Sequence, residues 1–130
     1  MGRFTDVRQR GGRPKLHEIG ADPDPRFTFA NERTFLAWNR TSLALIAGGL
    51  AVAQLLDVSS RWARLAIAAP LIALGAALAL TSYRRWESNE RALRLARPLP
   101  YSRLPKLLGA GIGAVAVICA AVLVADAIAR

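Results

Sequence analysis

The sequence predicts an all-α membrane protein with three transmembrane helices, and three observations predict it. Three long apolar runs fill most of the chain beyond residue 34, and the last of them, residues 107–125, carries no charged side chain. The 130 residues have a formal net charge of +9, yet the basic residues lie almost wholly outside those runs. A soluble domain rarely combines that charge with 53% hydrophobic residues. A nucleic-acid binder would spread its cations over folded polar faces instead of collecting them at the ends of apolar segments. Membrane lipid is therefore an expected partner and nucleic acid is not.

Residues 1–25 mix Arg, acids, Gly11, Gly12, Pro14, Pro23 and Pro25 without a period or an apolar core. They read as a flexible basic tail with no cleavable signal, so that membrane insertion begins at the first span. His17, the only histidine, has no companions there that would make a metal or catalytic site. Residues 26–130 read as one three-helix transmembrane domain. Its first span, residues 35–56, is about 33 Å long at ~1.5 Å per residue, enough for a hydrocarbon core of about 30 Å. A tight turn at residues 57–60 leads to Arg61, Trp62 and Arg64, a headgroup anchor by composition.

The second span covers residues 62–83 and contains Pro70 and Gly75, both tolerated in membrane helices. Beyond Tyr83 the helix is expected to run on into water, because Glu87 with Arg91 and Glu90 with Arg94 stand at the i,i+4 spacing of an exposed helix. Pro98 and Pro100 end it, and Tyr83, Trp86, Arg84 and Arg85 form a second interfacial belt. In the third span Gly109 and Gly113 make a GxxxG pair that Ala116 and Ala120 extend, a face built for close helix contact with another span or another subunit. Cys119 has no second cysteine to pair with and reads as packing, and Asp126 falls near the far end of the span, where it meets water.

Positively charged loops stay in the cytoplasm. Arg3, Arg8, Arg10, Arg13, Lys15, Arg26 and Arg33 precede the first span, and Arg84, Arg85, Arg91, Arg94, Arg97, Arg103 and Lys106 separate the second from the third. The other side has only Arg61 and Arg64, with Arg130 at the C-terminus. Both basic segments give the same orientation: N-terminus cytoplasmic, C-terminus outside.

The stretch most capable of carrying function is residues 26–41, where charge runs into an apolar helix instead of stopping at its edge. Arg33 and Arg40 are seven apart, and the same helical face continues through Ala47 to Gln54, with Ala37, Ala44 and Ala51 in the turns between. Arginine and glutamine are costly against lipid, so the stripe is expected to turn toward a bundle interior or a wet cavity. Together with Arg84 or Arg85, Arg33 and Arg40 would make a cationic entrance for phosphate or a similar anion, which guanidinium binds through its planar fork. Glu32 would tune that charge or clamp one arginine. The competing reading is interfacial anchoring, since Trp38 marks an interface and the Arg40 stem is long enough to snorkel back to the headgroups.

The run Ala30-Asn-Glu-Arg-Thr-Phe-Leu-Ala-Trp-Asn-Arg-Thr41 closely resembles the signature of the domain-of-unknown-function 202 family, the YidH-like small bacterial membrane proteins. With the Tyr83-Arg84-Arg85 end of the second span, the resemblance covers residues 25–125. That family is similar to the membrane domain of the eukaryotic vacuolar transporter chaperone complex, in which three-span units form a ring that passes polyphosphate through a basic pore. The resemblance implies that Glu32, Arg33 and Arg40 are first-helix pore residues, with Arg84 or Arg85, and then Arg91 or Arg94, as second-helix counterparts. The chain lacks the phosphate-sensing and polymerase domains of the larger subunits, so it would not make polyphosphate unaided.

These readings converge on a multi-pass protein of the bacterial inner membrane, a homo-oligomeric bundle that forms or lines a path for a phosphate- or polyphosphate-type anion. No cofactor or metal is expected, and no nucleophile–base pair or paired carboxylates suggests an enzyme. The alternative is a non-transporting scaffold that holds a cytoplasmic partner on the helix of residues 83–97.

Overall fold

Asp24 and Pro25 begin the first long helix. The Asp24 carboxylate accepts from the Arg26 backbone N–H at 2.9 Å, and proline at the first helical position gives up no hydrogen bond because that N–H would be unpaired anyway. The computed structural model describes residues 15–58 and 60–129. It contains a 3-10 turn at Leu16–Glu18 and three helices, α1 (Pro25–Leu55), α2 (Arg61–Arg94) and α3 (Leu104–Ala129). All three are long and apolar enough to cross a membrane, and no strand occurs among the described residues. The expected fold class is thus the observed one.

At about 1.5 Å per residue, the 31 residues of α1 and 34 of α2 reach roughly 46 and 51 Å, well beyond a hydrocarbon core of ~30 Å. Both overhang at the same end, because they run antiparallel and Asn31 of α1 lies against Trp86 and Asn89 of α2. α1 therefore starts ten residues before the predicted span, and α2 continues past Tyr83 as its charge spacing predicts. Ser60 caps the start of α2 by accepting from the Trp62 N–H at 3.2 Å, and Pro70 leaves the helix unbroken.

α2 ends at Arg94, before either proline. Its last carbonyls are closed by Arg97 N–H to Ala92 O at 2.9 Å and Ala96 N–H to Leu93 O at 3.2 Å, with Ala96 left-handed at φ 49°. This is the Schellman arrangement, with alanine where glycine is usual. Both predicted i,i+4 pairs form, Arg91–Glu87 at 3.3 Å and Arg94–Glu90 at 3.5 Å. The second is not the exposed pair expected, since Glu90 is only 5% exposed.

The first 14 residues of the predicted tail lie outside the described part of the chain. Residues 15–24 dock on the end of α2: Ala21 N–H donates to Arg94 O at 3.2 Å and Asp22 pairs with Arg94 at 3.0 Å. Gly20 makes this approach possible. Its φ is +65°, and a Cβ there would collide with the Arg94 carbonyl.

Packing is centred on α2. It lies along α1 and against α3, while no Cα of α1 comes within 8 Å of one in α3. α1 and α2 cross at two glycines placed reciprocally: a Cβ on Gly49 would meet Ala68 O at 2.9 Å, and one on Gly75 would meet Ser42 O at 2.8 Å. The Ser42 hydroxyl donates to the Gly75 carbonyl across this seam. Small residues here let backbones touch, the means by which helices attract one another where surrounding lipid is as apolar as leucine. Leu43, Leu50, Leu80, Val117 and Leu123 remain outward and exposed, as side chains solvated by acyl chains would be.

Candidate functional site

α1 has two opposed faces. Asn31, Ser42 and Gly49 are buried against α2, and Asn31 is the polar centre: its amide donates to Trp86 O at 3.1 Å and its carbonyl accepts from Asn89 at 3.1 Å. At about 100° per residue, the predicted stripe lies roughly 180° around the helix from that face. Arg33, Ala37, Arg40, Ala44, Ala47, Ala51 and Gln54 are accordingly all exposed. The expectation that the stripe turns to a bundle interior is not met within one chain, because the interior is taken by the Asn31–Ser42–Gly49 face, which permits closer backbone contact.

The arginines have different surroundings. Arg33, Arg40 and Arg84 are exposed and make no ion pair among the described residues. Arg84 lies on α2 beside Glu87, Ser88 and Arg91. Arg85, its neighbour in sequence, points to another side of the helix and donates to the Ser102 hydroxyl, which also accepts from the Leu104 N–H at 3.3 Å. Arg85 thus ties α2 to the start of α3 and is committed to the fold. Glu32 clamps neither Arg33 nor Arg40; it lines a cavity with Phe35, Leu36, Tyr83 and Trp86.

On α3 the contact with α2 falls at Gly111, whose Cβ would meet the Leu74 methyls, and at buried Leu104 and Val115. Gly109 and Gly113 have nothing within 4 Å, so within the chain their GxxxG face is open. At the far end of α2, Arg61 sits 5.6 Å from the Trp62 ring, which is 71% exposed, the arrangement of an interfacial anchor. Among the described residues no His, Cys, Asp or Glu side chains gather where a metal could be held.

Asn31 and Ser42 were not singled out from the sequence, and Glu90 was expected on an exposed face. A signal for the first two existed: Asn31, Ser42 and Gly49 are spaced eleven and seven apart, so they share a helical face as surely as Arg33 and Arg40 do. Glu90 gave no such signal. Its burial comes from chain packing, and its Oε2 has no hydrogen-bond partner among the described residues, nor do the buried Nε atoms of Arg85 and Arg94.

Comparison with known proteins places this geometry in context. The family model described as a domain of unknown function (DUF202) matches residues 26–92. The inner membrane protein YidH of Escherichia coli is 44% identical over 89 residues, 68% of this chain and 77% of YidH. An uncharacterized protein of Mycobacterium tuberculosis is 41% identical over 108 residues, 82% of this chain and 88% of its own length. No solved structure matches.

Proposed function

Because the chain belongs to the DUF202 family and is a small multi-pass protein of the bacterial inner membrane, we propose that it assembles as a homo-oligomer whose α1 helices line a path for a phosphate- or polyphosphate-type anion. One observation carries this reading: Arg33, Arg40 and Gln54 share an exposed face of a membrane helix and find no partner among the described residues. Arg40 follows Phe35 by five residues, about 7 Å into the apolar run. A guanidinium facing lipid costs up to ~3 kcal/mol near a helix centre, whereas one facing a wet axis shared by several copies costs far less. Ala37, Ala44, Ala47 and Ala51 between the polar residues keep such an axis clear.

The basic ends of α1 and α2 face the cytoplasm in this proposal, by the distribution of Lys and Arg. Arg33 and Arg40 would form two cationic rings about 10 Å apart, capable of binding and handing on an oxyanion. Arg84 lies beside Glu87, Ser88 and Arg91 instead, and Arg85 is held by Ser102. The role is non-enzymatic.

Liposomes carrying the purified protein should pass anions in preference to cations under an applied voltage, and Arg40→Ala should weaken that preference. Ala44→Cys in a Cys119→Ser background should cross-link between copies. Absence of flux together with absence of cross-linking would sink the proposal. The extension of α2 to Arg94 favours a second reading, a non-transporting scaffold that holds a cytoplasmic partner there. It predicts no flux and loss of the partner when Ser88 and Arg91 are replaced.

A further inference from the structure

Two cavities beside the α1–α2 seam share one wall. The first, about 340 Å³, is lined by Glu32, Phe35, Leu36, Tyr83 and Trp86, and the second, about 430 Å³, by Tyr83, Arg84, Glu87, Ser88 and Arg91. The first is an aromatic slot: Trp86 stacks with Tyr83 at 6.1 Å between centroids and meets Phe35 at 6.2 Å. Leu36 and Tyr83 are each more than half exposed, so the slot opens sideways away from the chain. The second is a charged ledge on the far side of Tyr83. Tyr83 and Trp86 stand where the apolar stretch of α2 gives way to its charged end, the depth at which acyl chains meet headgroups.

We propose that slot and ledge together bind one phospholipid, with an acyl chain between Phe35, Leu36 and Trp86, and that the site selects a zwitterionic headgroup carrying a phosphate and a primary ammonium. The charges decide the class. Glu87 is paired with Arg91 at 3.3 Å. That leaves one cation, Arg84, and one anion, Glu32, on either side of Tyr83, and neither has an ion-pair partner among the described residues. A phosphodiester fits Arg84 with the Ser88 hydroxyl as a second donor, and an ammonium with three N–H donors fits Glu32. A glycerol headgroup, anionic and without a cation, would leave Glu32 unmatched beside a second negative charge. A choline headgroup has no N–H to donate. Free phosphate would have no use for the aromatic slot.

The full chain with Trp38→Phe and Trp62→Phe leaves Trp86 as a single reporter inside the slot. It is reconstituted in phosphatidylcholine vesicles containing a minor fraction of acyl-brominated lipid, whose bromines quench tryptophan on contact. Ethanolamine lipid should reach half-maximal quenching at an about five-fold lower mole fraction than glycerol or choline lipid, the scale of one net hydrogen bond at an exposed site. Glu32→Gln should erase the advantage of ethanolamine over both glycerol and choline lipid, whereas Arg84→Gln, at the phosphate that all three share, should weaken quenching by all three without changing their order. Both side chains are exposed, and an unchanged elution volume and Trp86 emission maximum check that the variants fold. Equal quenching by all three headgroups, a preference for glycerol lipid, or relief of quenching by millimolar inorganic phosphate would each overturn the assignment.

Discussion

The seam between α1 and α2 and the contact between α2 and α3 hold membrane helices together by different means. Along the first, two glycines bring backbone against backbone, a serine hydroxyl crosses to a carbonyl, and Asn31 ties the overhanging ends through Trp86 and Asn89. The second rests on Gly111 under the Leu74 methyls, with Arg85 and Ser102 fastening one end. Only 6% of the most apolar window of α3 is buried, against 28% for α2. Where lipid supplies no hydrophobic drive between helices, contact is held by backbone proximity and hydrogen bonds, and the α1–α2 hairpin has both along its length. α3 is fixed at one end and leaned against, which leaves its Gly109–Gly113 face for lipid or another copy.

Substitutions that invade the seam should expose this contrast most strongly. Gly75→Val or Gly49→Val sets a side chain against a carbonyl under 3 Å away that cannot move without its helix, and should cost about 3 kcal/mol, read from detergent-denaturant unfolding. Gly111→Ala presses only on leucine methyls that can rotate, and should cost under ~1 kcal/mol. Equal losses at Gly75 and Gly111 would erase the distinction. Asn31→Ala removes two hydrogen bonds and should cost about 1–2 kcal/mol in the same assay, with faster amide exchange confined to the overhanging ends of α1 and α2. In the opposite direction, Ala96→Gly relieves a left-handed alanine and should raise stability by about 1 kcal/mol, visible as a higher melting temperature. Smallest of all, Gly109→Ala and Gly113→Ala should leave the stability of the single chain unchanged. A loss of oligomer in those variants at constant chain stability would assign the open face of α3 to a second copy.

Much of this was legible in the residues. Three apolar runs gave three helices, and the i,i+4 spacing of Glu87 with Arg91 and of Glu90 with Arg94 carried α2 beyond the membrane. Less legible was which face turns inward. Periodicity shows that Arg33, Arg40 and Gln54 share a face and that Asn31, Ser42 and Gly49 share another, but it is blind to which one meets a neighbour. For the GxxxG pair the ambiguity was the same, and the contact within the chain went to Gly111. Residues 15–24 looked like tail because their composition is that of disorder, yet one glycine at positive φ and a carbonyl at the end of α2 suffice to dock them.

The sequence by itself determined the three apolar helices, the run of α2 past its apolar stretch and the gathering of charge at two connections, because hydropathy and helical period act locally and need no partner. Tertiary structure alone decided that α2 is central, that the arginine stripe of α1 faces away from its own chain, that Arg84 and Arg85 part company, and that Glu90 is buried. Those outcomes depend on which small residues let two backbones approach most closely, a property of pairs of helices that no single helix contains.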